Sequence, residues 1–222
     1  MPNFATPTPI TTVLDIPAGR VQIIAADRAD TTVEVLPADA AKSRDVKLAQ
    51  LTTVAFRDGV LRIEGPTTNQ YFGPSGSVDV TIRLPAGSRL QAKAASAEFR
   101  TVGRLGEVVV EGAHGNAKID EAASVHLTAA AGDVTVGRLT GPAEISTAKG
   151  DIRITEAVRG TVVLRTQAGG VSIGAATGVS ASLDAGTSYG RIENALMNTA
   201  GAAAELAIHA TTSYGDITAR SL

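Results

Sequence analysis

Gly132-Asp133-Val134-Thr135-Val136 and Gly150-Asp151-Ile152-Arg153-Ile154 are two copies of one phrase, a turn glycine, a polar residue and an alternating apolar pair. Further copies read Gly115-Asn116-Ala117-Lys118-Ile119, Gly170-Val171-Ser172-Ile173, Gly190-Arg191-Ile192 and Gly215-Asp216-Ile217-Thr218. The apolar spacing is 2 rather than 3.6, and glycine recurs in every unit, so the units are strands and not helices. A period this short and regular is the mark of a solenoid.

Working outward, a second apolar pair precedes each glycine: Val108/Val110, Val125/Leu127, Ala143/Ile145, Val162/Leu164, Ala181/Leu183 and Leu206/Ile208. Their steps of 17, 18, 19, 19 and 25 residues define the coils. Each coil holds two strands, one before the glycine turn and one after it. Equivalent strands stack about 4.8 Å apart, and a perimeter of about 18 residues encloses a thin core. The long last step contains Asn198-Thr199-Ala200-Gly201-Ala202-Ala203-Ala204, read as a loop at one corner. The fold class that follows is an all-β, single-stranded parallel β-helix (β-solenoid) with an N-terminal β capping region. Residues 1–88 form the irregular coils and cap, and residues 89–222 the regular repeats, in one continuous structural domain.

Composition agrees with a narrow interior. The chain of 222 residues is 44% hydrophobic but only 3% aromatic, with no Trp and 23 Gly. Large cores use aromatic side chains to fill volume, whereas this one must rely on Val, Ile, Leu and Ala. A net charge of −2 without a basic run argues against nucleic acid as a partner. Cysteine is absent, which excludes disulfides and thiolate metal sites. The opening Met1-Pro2-Asn3-Phe4-Ala5-Thr6-Pro7-Thr8-Pro9 has no basic n-region or apolar h-region, and no stretch is apolar enough to span a bilayer. These features predict a soluble, cytoplasmic protein with no membrane insertion.

The N-terminal part is less regular. Gly19-Arg20-Val21-Gln22-Ile23 and Thr32-Val33-Glu34-Val35 read as a first coil, and Leu14-Asp15-Ile16-Pro17-Ala18-Gly19 recurs as Ile82-Arg83-Leu84-Pro85-Ala86-Gly87. Thr53-Val54-Ala55-Phe56 and Val60-Leu61-Arg62-Ile63 flank Asp58-Gly59, a strong hairpin signal. From Gly65 to Gly76 a polar loop carries Tyr71 and Phe72.

Four features together carry a resemblance: the opening Phe4-Ala5-Thr6-Pro7, the turn Leu84-Pro85-Ala86-Gly87-Ser88, the Gly-Asp-Val repeats and the paired Thr-Ser-Tyr-Gly motifs. Over nearly its whole length the chain resembles a bacterial putative-adhesin family of β-strand-repeat proteins, a domain of unknown function. The resemblance implies a β-solenoid and, through the family's label, a surface role suited to members with secretion signals or anchors.

In a solenoid, chemistry must be sought in columns. The position after the glycine gives Asn116, Asp133, Asp151, Gly170, Arg191 and Asp216, where Asp133 and Asp151 could bind a hard cation or act as acid and base. Aspartate at a turn also bonds nearby backbone amides, and the dense glycine–aspartate pattern of calcium-binding repeats is absent. The turn role is therefore preferred. Glu121, Arg138 and Glu156 alternate in sign, and Arg165 beside Asp184 reads as a similar exposed pair, each contributing about 0–1 kcal/mol. His114, His126 and His209 do not converge at metal-ligand spacing, and no nucleophile–base–acid set assembles. The outward column Lys118, Thr135, Arg153, Ser172, Glu193 is too mixed for the groove of a polysaccharide-cleaving β-helix.

The motifs Thr187-Ser188-Tyr189-Gly190 and Thr212-Ser213-Tyr214-Gly215 stack two tyrosines on one corner, covering the core or offering a platform for a sugar or a peptide. Gly215 to Arg220 read as a final strand with no capping helix after it. An uncovered rung exposes unpaired backbone groups that invite another chain. The expected function is a non-enzymatic structural or interaction scaffold, without metal or cofactor, that meets a protein partner or itself end to end. Its expected contact residues are Tyr189, Tyr214, Asp216, Ile217 and Arg220. A surface adhesin or ligand-binding module is the second reading, and a polysaccharide-acting enzyme the third.

Overall fold

The period-2 alternation dictates strands whose odd and even residues face core and solvent, and the computed structural model has that form over residues 2–66 and 76–222. Tyr71 and Phe72 lie outside the described residues. The N-terminal elements are β1 (Asn3–Ala5), β2 (Thr11–Ala26), β3 (Asp30–Pro37), α1 (Ser43–Leu51), β4 (Thr53–Arg57), β5 (Val60–Glu64) and β6 (Val78–Pro85). The regular part comprises β7 (Arg89–Val102), β8 (Arg104–His114), β9 (Ala117–Ala131), β10 (Val134–Leu139), β11 (Ala143–Lys149), β12 (Ile152–Ala157) and β13 (Gly160–Ala168). It continues through β14 (Val171–Ala175), β15 (Ala181–Tyr189), β16 (Ile192–Ala195), a 3-10 turn (Gly201–Ala203), β17 (Leu206–Tyr214) and β18 (Ile217–Ser221).

Pairing runs along two faces of an all-β solenoid. The first is ordered β4–β5–β2–β7–β8–β9–β11–β13–β17–β15. The second is ordered β1–β3–β6–β2–β7–β9–β10–β12–β14–β18–β16. All pairs are parallel except β4–β5, β1–β3 and β3–β6. The core between the faces is Val, Ile, Leu and Ala, with Phe99 as its one fully buried aromatic among the described residues. Single rungs cannot bury their inner faces, so stability accumulates from nearest-neighbour stacking.

The corner after each first-face strand explains the recurrent glycine. Gly150 adopts φ 138°, and a Cβ there would fall inside the carbonyl of Gly132 on the neighbouring rung. Only a residue without a side chain lets the rungs approach so closely. In the fourth copy this role belongs to Gly169, at φ 153°, while Gly170 occupies the polar position of the phrase.

Rung order departs from sequence order at both ends. The segment from β17 to β18 lies between β13/β14 and β15/β16, so the C-terminal strand is paired on both sides. The expectation of an open C-terminal coil is thus corrected: the uncovered rung is β15/β16, which among the described residues pairs only with β17 and β18. Polarity gives the reason. Inward positions of the inserted rung are Leu206, Ile208, Ala210, Thr212, Ile217 and Ala219, all buried. Their counterparts outside it are Ala181, Leu183, Ala185, Thr187, Ile192 and Asn194. The more apolar rung takes the enclosed place, and the loop at 198–204 supplies the chain needed to step back. The insertion also shifts register by two residues, so that Val162 stacks on Ile208 and then Leu183 rather than on Ala181.

The N-terminal end shows the same threading. β2 lies between β5/β6 and β7, so the first full rung is again second in space. Asp58 and Gly59, at φ 51° and 75°, make the expected tight hairpin between β4 and β5. Thr32–Val35 do not continue a first coil, because β3 returns antiparallel to β6 after a turn held by a bidentate Arg28–Asp30 pair. That hydrogen-bonded guanidinium holds the Asp30 carboxyl below its usual range. Leu14–Gly19 and Ile82–Gly87 resemble each other but do not stack, since Ala25 rather than Ile16 meets Leu84. The short helix α1, absent from the sequence reading, sets Leu48 into the cap, and its buried Asp45 accepts the Ser77 amide at 3.0 Å. Phe4 of β1 and Phe56 of β4 meet across this end with ring centroids 5.4 Å apart.

Gly150→Ala is expected to destabilise the protein by more than about 2 kcal/mol, through the carbonyl clash and the left-handed backbone. Gly186→Ala, at an ordinary φ with nothing within 4 Å of the added Cβ, should change stability by less than about 0.5 kcal/mol. Chemical denaturation of the two variants measures the contrast.

Candidate interaction surface at the distal rung

The Thr-Ser-Tyr-Gly motif is a corner built from its hydroxyl. Thr212 Oγ1 donates to the Gly169 carbonyl at 2.9 Å, and Thr187 Oγ1 to the Gly215 carbonyl at 3.0 Å. Each inward threonine thus satisfies a glycine carbonyl of the adjacent rung, and the tyrosine two positions later turns outward. Their column reads His114, Ala131, Lys149, Ala168, Tyr214, Tyr189, so the aromatics occupy the last two places. The rings stack with centroids 5.0 Å apart and planes 3° apart. That spacing is close to the rung separation, so backbone pairing itself sets the aromatic stack.

Around the pair the core is left uncovered. Tyr189 is 68% exposed, Tyr214 61%, Met197 52% and Ile192 45%, while the inward Leu183, Ala185 and Leu196 are half-buried. Asn194, at an inward position, bends back to accept the Leu196 amide at 3.1 Å. The bend closes β16 with a local turn in place of another rung. Buried Ser180 holds the following loop, its hydroxyl accepting the Thr199 and Ala200 amides at 3.1 Å. Of the residues expected to make contact, Tyr189 and Tyr214 lie together here. Ile217 is fully buried, Asp216 is exposed and accepts the Arg191 amide at 2.8 Å, and Arg220 is exposed between Gly174 and Ala195. Sequence reasoning missed Ile192, Leu196 and Met197. The signal available for them was Asn194, a polar amide where the neighbouring rungs carry Ala219, Ile173, Ile154 and Val136.

The aspartate column has a structural role. Asn116 Oδ1 accepts the Asp133 amide at 2.9 Å, Asp133 Oδ1 that of Asp151 at 2.9 Å, and Asp151 Oδ1 that of Gly170 at 2.7 Å. Each side chain bonds the backbone of the next rung, as turn chemistry favours. At Gly170 the ladder lacks a side chain, and a groove of about 410 Å³ opens there between Asp151 and Asp216. Among the described residues, no group of three or more His, Asp or Glu could hold a metal ion.

The other charged residues form surface pairs. Arg138 reaches Glu156 at 3.8 Å in the alternating column. Arg165 does not stand beside Asp184 as expected. The register shift places Thr211 next to it, and its guanidinium binds Glu144 at 2.8 Å. Asp184 instead faces His209 at 3.3 Å, and His126 stands 3.7 Å from Glu144. Val163 separates these two histidine–carboxylate pairs, so they do not converge. Among the described residues, no helix is long and apolar enough to cross a membrane.

The fold has counterparts. The family model Toastrack DUF4097 matches residues 13–221, from β2 to the end of β18. The chain belongs to this family. This Toastrack chain shares its fold with a solved putative adhesin from Bacteroides fragilis at 14% identity and a TM-score of 0.61, over 98% of this chain and 95% of the other. A second putative adhesin, from Parabacteroides distasonis, aligns at 14% identity and a TM-score of 0.50, over 100% and 95% of the two chains. No curated protein sequence matches the chain.

Gly170→Asn should complete the Toastrack ladder by accepting the Asp216 amide. The backbone at Gly170 is not left-handed, and an added Cβ finds only ordinary contacts there. A gain of about 0.5–1.5 kcal/mol is expected, measured as a raised midpoint in urea or on heating.

Proposed function

We propose that this Toastrack protein is a non-enzymatic interaction scaffold, and that its working surface is the distal rung β15/β16. One observation carries the reading. An unpaired parallel edge coincides with the exposed Tyr189, Ile192 and Met197. Exposed strand edges pair with other chains, and clustered apolar side chains supply the burial that makes such pairing stable. The candidate acid–base aspartates are engaged with backbone amides, which supports a structural rather than a catalytic use.

A second reading, a surface adhesin or ligand-binding module, draws on the stacked tyrosines and on neighbours described as putative adhesins. Tyr189 presents a broad apolar ring on which the face of a sugar or a peptide side chain could stack. The scaffold reading places the protein in the cytoplasm, while the adhesin reading requires export. Cell fractionation separates the two.

Site-specific photo-crosslinking in producing cells tests the surface itself. A benzoylphenylalanine in place of Tyr189 or Met197 should give discrete adducts with another macromolecule. The same group in place of Lys118 or Arg153, on the flank, should give few. Equal labelling at flank and tip, or no adduct at the tip, would remove the proposal.

A further inference from the structure

The two ends of the solenoid differ, and the difference determines how copies can meet. At the proximal end the parallel stack is stopped by antiparallel β3 and β4. The Phe4–Phe56 pair and α1 close its core, the outermost strands β1 and β4 have three and five residues, and Pro2 flanks β1. Proline and short edge strands discourage further pairing. At the distal end β15 offers an unpaired edge from Ser182 to Tyr189, the Ala181 amide being bonded to the Met197 carbonyl at 3.0 Å. A head-to-tail contact would seat that long edge on the closed end and repeat into a fibre. A two-fold contact instead joins the two β15 edges and leaves only the short outer strands of the proximal ends.

We propose, resting on the distal rung as the working surface, that its occupant is a second copy of this chain in a tail-to-tail, closed homodimer. A two-fold axis perpendicular to the first face sets β15 antiparallel to β15 of the second copy and keeps inward residues inward. Overlap of Leu183–Thr187 centres the pair on Ala185 and leaves the Ala181–Met197 bond in place. Leu183 then lies opposite Thr187, and Asp184 opposite Gly186.

This register keeps like charges apart. Asp184 is the one ionisable group of β15 other than the tyrosine phenol, and it meets the one glycine of the strand. Centring the pair one residue earlier would oppose the two Asp184 carboxylates, which is unfavourable. The half-buried Leu183, Ala185 and Leu196 and the exposed Ile192 of both copies would join into a continuous core. A net charge of only −2 on each chain leaves little long-range repulsion between copies.

Gly186 makes the register testable, because side chains there meet nothing within 4 Å in the monomer and the backbone is not left-handed. Sedimentation velocity on the full chain over about 1–100 µM should show a monomer–dimer equilibrium with no larger species. Gly186→Asp should raise the dissociation constant at least tenfold by opposing carboxylates. Gly186→Lys should lower it, and Gly186→Asp combined with Asp184→Lys should restore dimerisation. Thermal melts of the dilute variants verify that the monomer fold is retained.

A monomer at every concentration, a fibre, or equal effects of Gly186→Asp and Gly186→Lys would overturn the proposal. A monomer that still gives tip-specific crosslinks to other macromolecules would sink the dimer and leave the interaction surface standing. A monomer without such crosslinks would remove both.

Discussion

The structure depends on how closely one rung can approach the next at the glycine corner. There the backbone is left-handed, the neighbouring carbonyl occupies the space of a side chain, and an inward threonine donates to that carbonyl in the later rungs. With the corners in contact, the strands on both faces fall into parallel register. Inward Val, Ile and Leu columns then fill a thin core in which Phe99 is the one buried aromatic among the described residues. Outward side chains are left free to vary, and they do. The position after the glycine passes through Asn, Asp, Gly and Arg, and its members are tied together by bonds to backbone rather than by a shared chemistry.

Much of this was legible in the sequence because local signals and stacking agree. Period-2 alternation located the strands, Asp58-Gly59 the hairpin, and the columns Lys118–Thr135–Arg153–Ser172 and Glu121–Arg138–Glu156 their neighbours. Legibility ended where rung order is a competition between segments. Alternation reports which side of a strand is buried, and it is silent on which rung lies next to which. Comparing inward sets would have told more, because Asn194 against Ala219 marks the outer rung. The helix α1 escaped for a related reason: it lies in a cap whose contacts are tertiary and has no repeat to announce it.

The candidate surface was half legible. Tyr189 and Tyr214 stand out as a repeated motif, and their stacking follows from equivalent positions on adjacent rungs. Ile192, Leu196 and Met197 are ordinary apolar residues that gain significance only because nothing covers them. Ile217 shows the converse: it looked terminal in sequence and is buried in space. Which apolar residues lie bare in this fold therefore depends less on residue type than on which rung is left without a neighbour.

The threading of the C-terminal segment into second place has a mechanical consequence. Strands at chain ends ordinarily fray first, since they are held from one side only. Here β18 is gripped by β14 and β16, so a load applied at Leu222 must shear two ladders at once. The tip is a loop of internal chain, tethered at both of its ends, and it can loosen without starting to unravel the stack.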